Sequence, residues 1–232
     1  RWRPHIYLFV GFVVMSIAVV AQTQPTALCA DVNDDGEVVL SWEYDDAAPG
    51  TEYDLFRDHG PGFGAAIATT MDLFYNDMDA MANLDDPVRY YVRAQNSLAP
   101  VAAEDTISTI FLELDQLSEL VAQLSWNDPF DPMPIGGEYK VERKEADGNF
   151  IEIAAYPPSV NSYFDTLYSV CGDLVQFSYR IRYEIGTCSM LSQPDSGLFR
   201  DIIGPPQPVV ETITVDPLTG VVTIFWSPVI AT

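Results

Sequence analysis

An apolar strand pattern that ends in Trp occurs three times and constrains the fold of this chain more than any other feature. The copies are Val38–Trp42, Val121–Trp126 and Val222–Trp226, and alternate residues in each are apolar. Such alternation is typical of a strand with one buried face. The three Trp residues are 84 and 100 residues apart, which is the spacing of small domains and too long for a solenoid repeat. The pattern predicts three copies of one β domain.

The first copy predicts a complete antiparallel sandwich within residues 22–107. Seven short strands separated by turn residues occur between residues 26 and 107, and no stretch has sustained helical periodicity. The strand before Trp42 is preceded by the turn sequence Asn33–Gly36, and Gly60-Pro61-Gly62 predicts another turn. Several short strands with regular turn signals are typical of an all-β sandwich.

Landmarks of the first copy recur within residues 108–203. Tyr53 to Arg57 recurs as Tyr139 to Arg143 at an offset of 86 residues, and Tyr75-Asn76-Asp77 recurs as Tyr163-Phe164-Asp165 at 88. Tyr90 recurs as Tyr179. The near-constant offset predicts a duplicated domain. Residues 204–232 then supply the first two strands of a third copy, so we expect a fragment of a longer protein. We expect its last thirty or so residues to be mobile or to pack against the second domain.

Residues 1–21 have the pattern of a secretory signal peptide. Arg1, Arg3 and His5 precede an apolar run from Ile6 to Val20, and small Ala21 follows. A membrane anchor is the alternative, but the run is shorter than the ~20 residues that span a bilayer. We therefore expect a mature chain that begins at Gln22 and has no stable membrane span.

Charge and residue content exclude several functions. The chain has 11 Lys and Arg against 34 Asp and Glu, a net charge of −23, which disfavours nucleic acid and anionic lipid as partners. His5 and His59 are the two His residues. No Gly-x-Ser-x-Gly elbow or Gly-rich phosphate loop is present, and the carboxylate pairs Asp45-Asp46 and Asp128 with Asp131 are typical of acidic loops. We predict that the protein is not an enzyme and has no cofactor.

One segment has the spacing of metal-binding residues. Asp31, Asn33 and Asp35 are spaced as the first three oxygen ligands of a calcium loop, and Gly36 occupies the turn position. The twelfth position, which holds a bidentate Glu in such loops, is Trp42. A tight hairpin turn between the first two strands explains the same residues. Calcium therefore stays an alternative to a structural turn.

The Trp and Tyr landmarks resemble those of the fibronectin type III domain. They are Trp on the second strand, Tyr53 and Tyr139 on the third, and Tyr90-x-Val92-x-Ala94-x-Asn96 on the sixth. The resemblance implies that Trp42, Trp126 and Trp226 lie in the cores of the sandwiches. It also implies that Tyr90 and Tyr179 are corner tyrosines, whose hydroxyls bond the backbone just upstream.

A second resemblance covers the segments Val170-Cys171, Gly186-Thr187-Cys188, Asp195 to Phe199 and Asp216 to Gly220. Their order is similar to that in gliding-motility-associated surface proteins of Bacteroidota, which are secreted by the type IX system. The resemblance implies a protein at the outer-membrane exterior, with a sorting domain beyond Thr232 that the secretion machinery recognises. It implies a Cys171–Cys188 disulfide, although a plain hairpin would hold these residues ~30 Å apart. Cys29 has no assigned partner.

The same resemblance suggests O-glycosylation. Thr106 and Thr166 lie in Asp-Thr-apolar tripeptides of the type that Bacteroidota glycosylate, although Asp-Thr near a strand end is also an ordinary structural sequence.

Three functions remain open at the level of sequence. We expect non-catalytic adhesive or structural modules of a secreted cell-surface protein, with an unidentified extracellular protein or glycan as ligand. One alternative is a set of accessory spacer domains of a secreted hydrolase, and another is a calcium-dependent interaction module. A hydrolase domain encoded in the full gene would favour the first alternative, whereas further repeats and a sorting domain would favour the adhesive protein.

Overall fold

The computed structural model describes residues 24–45, 47–60, 62–82, 86–97, 106–167, 174–200 and 209–227. These residues form 17 β-strands and no helix. Accordingly, the described parts of the chain have no helix that could cross a membrane. The predicted signal segment, residues 1–21, lies outside the described residues.

The first sandwich packs a three-stranded sheet on a four-stranded sheet, and all pairings are antiparallel. Its strands are β1 (Thr26–Val32), β2 (Val38–Glu43), β3 (Tyr53–Asp58), β4 (Ala68–Thr70), β5 (Phe74–Asp77), β6 (Arg89–Ala94) and β7 (Thr106–Ser108). The sheet orders are β1-β2-β5 and β4-β3-β6-β7. Val38, Leu40 and Trp42 are buried while the residues between them are exposed, as the period of two predicts. The rings of Trp42 and Tyr53 meet between the sheets at 5.6 Å.

The second sandwich repeats this arrangement. Its strands are β8 (Leu112–Ser118), β9 (Val121–Trp126), β10 (Glu138–Glu145), β11 (Ile151–Tyr156), β12 (Ser162–Thr166), β13 (Val175–Ile185), β14 (Cys188–Leu191) and β15 (Asp195–Phe199). The orders are β12-β9-β8 and β11-β10-β13-β14, with β15 also paired to β13. Trp126 meets Tyr139 at 5.5 Å. The prediction of tandem fibronectin type III-like β-sandwiches is confirmed.

The final strand of the second sandwich is divided, which the sequence did not predict. β14 pairs with the end of β13 and β15 pairs with its beginning. Residues 192–194 separate the two pieces, and Pro194 has no N–H to donate to a ladder. The Ser192 backbone N–H still donates to the Ile181 carbonyl at 2.8 Å. The break keeps β14 at one end of the sandwich as an edge strand.

A third hairpin, formed by β16 (Val210–Val215) and β17 (Val222–Trp226), repeats only the first pairing. Val215 faces Val222 and Ile213 faces Ile224, as Val32 faces Val38 in the first sandwich. All side chains in both strands are exposed. Trp226, which the resemblance places in a core, is 60% exposed, whereas Trp42 is 3% exposed. The prediction for Trp226 is wrong in this structure because no described strand covers the apolar face of the hairpin.

Candidate functional site at the junction of the two sandwiches

The linker between β7 and β8 is short and buried. Thr109 and Ile110 are both fully buried. The hydroxyl of Thr109 accepts a hydrogen bond from the Val88 backbone N–H at 2.9 Å. The Asn127 side chain donates to the Thr109 carbonyl at 3.0 Å and accepts from the Phe111 N–H at 2.7 Å. Asn127 therefore ties the loop after β9 to the linker, so the connection is an ordered segment and part of the packing.

A disulfide also joins the two sandwiches. Cys29 on β1 is bonded to Cys188 on β14, with their Cα atoms 5.7 Å apart and a sequence separation of 159. The prediction of a Cys171–Cys188 disulfide is therefore wrong in this structure, since Cys188 is bonded to Cys29. The physical reason is that β14 is an edge strand that lies beside edge strand β1. Cys171 itself lies outside the described residues.

Two polar contacts lie beside the bridge. The Leu191 backbone N–H donates to Oδ1 of Asp31 at 2.9 Å. The side-chain amide of Gln193 donates to the Asn33 carbonyl at 2.6 Å. Burial raises the pKa of Asp31, and the Leu191 N–H and the charges of Arg180 and Arg182 counteract only part of this increase. A carboxylate of the first sandwich thus lies at the surface of the second.

The segment with calcium-loop spacing is the turn between β1 and β2. Oδ1 of Asn33 accepts hydrogen bonds from the N–H groups of Asp35 and Glu37, both at 3.0 Å. Gly36 has a φ of 82°, which favours glycine. Asp31 bonds to the neighbouring sandwich instead. No group of three or more His, Cys, Asp or Glu suited to a metal occurs within the described residues, so calcium binding by Asp31, Asn33 and Asp35 stays a prediction.

The recurring Arg, Asp and Tyr landmarks meet in each sandwich. In the first, Arg57 Nη1 donates to both carboxylate oxygens of Asp77 at 2.8 and 2.9 Å, and the Tyr90 hydroxyl donates to Oδ2 of Asp77 at 2.9 Å. Tyr90 is fully buried and Asp77 is 3% exposed. The expected bond from Tyr90 to the backbone is therefore replaced by a bond to a carboxylate that an Arg already pairs.

The second sandwich repeats this triad. Arg143 Nη1 donates to Oδ2 of Asp165 at 2.7 Å, and the Tyr179 hydroxyl donates to the same oxygen at 2.8 Å. Tyr179 thus also bonds a side chain where the resemblance implies backbone. Burial, followed by the Asp165 carboxylate, raises the pKa of Tyr179, and burial with Asp77 does the same for Tyr90. The tyrosines therefore stay protonated donors, and each triad acts as a structural clamp between two sheets.

The described cations lie mainly on the outer faces of the larger sheets, where acidic side chains pair with them or aromatic rings contact them. Asp58, Phe56 and Asp54 on β3 face Arg89, Tyr91 and Arg93 on β6. Phe56 and Tyr91 stack at 4.3 Å, and Arg93 lies 5.0 Å from the Phe56 ring centre. In the second sandwich Arg180 and Arg182 both pair with Glu142. This cross-strand pairing explains why the basic residues cluster on central strands.

Asp128 and Asp131 form the loop carboxylate pair that the structure describes in full. Asp128 accepts a hydrogen bond from the Tyr139 hydroxyl at 3.0 Å. Asp128 and Asp131 line an open groove of about 820 Å³ beside Phe130, Met133 and Ile135. Asp46 lies outside the described residues. The groove has an apolar floor with two acidic side chains, which suits contact with another molecule better than proton transfer at a closed site.

The two Thr candidates differ in their surroundings. Thr166 is exposed at the end of β12, and the preceding Asp165 is held by the buried triad. Thr106 is half-buried in β7, and Asp105 lies outside the described residues. Asp165 thus has a structural role that accounts for its place before Thr166, and O-glycosylation of either Thr stays a prediction.

Among known proteins, similarity to this chain is found with solved structures. The chain is similar to the central fibronectin-III array of RIM-binding protein, with 14% identity and a TM-score of 0.30 over 90% of this chain and 80% of that chain. It is also similar to the FN1–FN3 domains of chicken CNTN1, with 10% identity and a TM-score of 0.33 over 78% of this chain and 68% of that one. No protein-family model and no curated protein matches it. The fold assignment therefore rests on the strand order and register described above.

Proposed function

We propose that this chain is a non-catalytic, secreted cell-surface protein whose sandwich modules space or present a binding surface, of the gliding-motility-associated type. The observation that carries the proposal is the Cys29–Cys188 disulfide between the modules. Structural disulfides persist in oxidising compartments and are rare in the reducing cytosol. The signal-like pattern of residues 1–21 supports the same location.

The charges support a partner other than nucleic acid. Of the 11 Lys and Arg residues, Arg1 and Arg3 lie outside the described part. The other nine each contact an acidic side chain or an aromatic ring, namely Arg57, Arg89, Arg93, Lys140, Arg143, Lys144, Arg180, Arg182 and Arg200. An acidic surface with its cations already paired offers little to phosphate. The expected ligand is an extracellular protein or a glycan.

Surface labelling of intact source cells tests the proposal. A membrane-impermeant amine-reactive label should modify the protein on intact cells, and its first residue should be Gln22. A protein that is labelled only after lysis and retains residues 6–20 would contradict secretion. The coding sequence beyond Thr232 separates the adhesive protein, which predicts further repeats and a sorting domain, from a spacer attached to a hydrolase.

A further inference from the structure

We propose that the Cys29–Cys188 disulfide is a redox-sensitive clamp that holds the two sandwiches as one rigid body. With the linker, it closes the chain between Cys29 and Cys188 into a covalent loop that contains both sandwiches. The inference goes beyond the proposed function, because it concerns how the modules are oriented and holds whatever they bind. It also differs from a disulfide within one domain, since each Cys belongs to a different sandwich.

The bridge connects two edge strands and is separate from the linker. Cys29 lies on edge strand β1 and Cys188 on edge strand β14, so neither disulfide partner belongs to the linker. The linker at residues 109–111 is a separate connection, held by Asn127. A single connection, even an ordered one, leaves a pivot between two modules, whereas a second covalent connection removes most of that freedom.

When the bridge opens, non-covalent contacts and the linker remain between the sandwiches. Beside it lie the Asp31–Leu191 and Gln193–Asn33 hydrogen bonds, and the Gln193 bond is in an exposed setting. Asp31 carries a carboxylate whose burial disfavours its charge. Interfaces between modules of one chain permit relative motion unless they are large and apolar. We therefore expect these two polar contacts to give way once the covalent link is removed, and the sandwiches to pivot about the buried linker at residues 109–111.

The bridge is accessible to a small reductant. Cys29 and Cys188 are both half-buried and pack against the edge of the core, so a small dithiol has partial access to the bridge. A dithiol thiolate attacks one sulfur and forms a mixed disulfide, and its second thiol then displaces that sulfur. Cys29 and Cys188 leave as thiols with two electrons and two protons from the dithiol, which becomes a cyclic disulfide. The reverse reaction with an oxidised dithiol closes the clamp.

Backbone ¹⁵N relaxation of the exported protein, before and after treatment with a dithiol, tests the clamp. The oxidised protein should give one rotational correlation time for both sandwiches. After reduction, and in a C29S/C188S variant, the two correlation times should separate and fall by roughly a third or more, because each module then tumbles more independently. C171S is the control and should behave as the oxidised protein.

Chemical shifts of Tyr90 and Tyr179 report whether each sandwich stays folded during these measurements. Retained shifts with separated correlation times support the clamp. Equal correlation times with and without the bridge would overturn it, since non-covalent contacts would then fix the orientation. Loss of the folded shifts on reduction would also overturn it, because the bridge would be a requirement for folding.

Discussion

The Tyr179 hydroxyl donates to Oδ2 of Asp165 at 2.8 Å across the second sandwich, and both side chains are buried. Tyr90 and Asp77 have the same relationship at 2.9 Å in the first sandwich. In each sandwich the carboxylate lies on the smaller sheet and the Tyr on the larger. An Arg on the strand next to that of the Tyr, in the larger sheet, pairs with the carboxylate. The duplicated element is therefore a buried polar contact as well as a strand order.

Removing either hydroxyl should destabilise the protein. Y179F and Y90F each remove a hydrogen bond to a buried carboxylate, so we expect a loss of about 1.5–3 kcal/mol in the free energy of unfolding. Y156F, on edge strand β11, is the control and should change it by less than about 0.5 kcal/mol. D165A should cost more, about 3–5 kcal/mol, because Arg143 loses its buried partner. Urea denaturation measures the free energy of unfolding of all four variants. Equal losses for Y179F and Y156F would contradict a stabilising role of the triad.

Acid should destabilise the first sandwich through Asp58. Burial alone would raise the pKa of Asp58, but hydrogen bonds from the N–H groups of Gly60 and Gly62 and from Arg89 lower it below 3.8. A lowered folded-state pKa gives stability that is present above pH 3.8 and is lost as the pH falls through the folded value. D58N should therefore be less stable than the wild type at pH 7 and should lose less on acidification.

Thermal melting between about pH 7 and pH 2.5 measures this difference. D72N replaces an exposed carboxylate in the same sandwich and should keep the wild-type pH profile. A D58N profile that parallels the wild type below pH 3.8 would show that other carboxylates cause the acid sensitivity.

The three Trp residues that define the repeat should differ sharply in their contributions to the free energy of unfolding. Trp42 and Trp126 are 3% and 5% exposed, whereas Trp226 is 60% exposed. W42A and W126A should each cost about 3–5 kcal/mol through lost burial and cavity formation, and W226A less than about 0.5 kcal/mol. Guanidinium denaturation of the sandwiches measures the loss of stability in each of the three variants. A W226A loss as large as that of W126A would mean that the third hairpin packs on the sandwiches.

The sequence predicted much of the fold because hydrophobic alternation is a local property. Val38, Leu40 and Trp42 alternate in burial as their spacing predicts. Arg57, Asp77 and Tyr90 were each recognised as landmarks, and their recurrence at nearly equal offsets was the signal that could have identified the triad. Their mutual contact was missed because it depends on how the two sheets face each other.

The junction could not be predicted for a similar reason. Cys29 and Cys188 are brought together by the packing of two edge strands in different sandwiches, and no local pattern encodes that packing. The resemblance favoured Cys171 because cysteines at similar positions recur together in the gliding-associated proteins. Asp31 and Asn33 looked like metal ligands because turns and calcium loops use the same oxygen-bearing residues. In the structure the Asp31 side chain accepts from the Leu191 N–H and Asn33 Oδ1 accepts from the turn backbone, and calcium binding at these residues stays a prediction.

Disulfide mapping of the protein recovered from the cell exterior tests the central claim most directly. The protein is alkylated without reduction, digested, and its linked peptides are identified by mass spectrometry. We predict a linked pair that contains Cys29 and Cys188, with Cys171 absent from that pair. A Cys171–Cys188 pair, or alkylated Cys29 and Cys188 in the exported protein, would contradict a covalent junction between the two sandwiches.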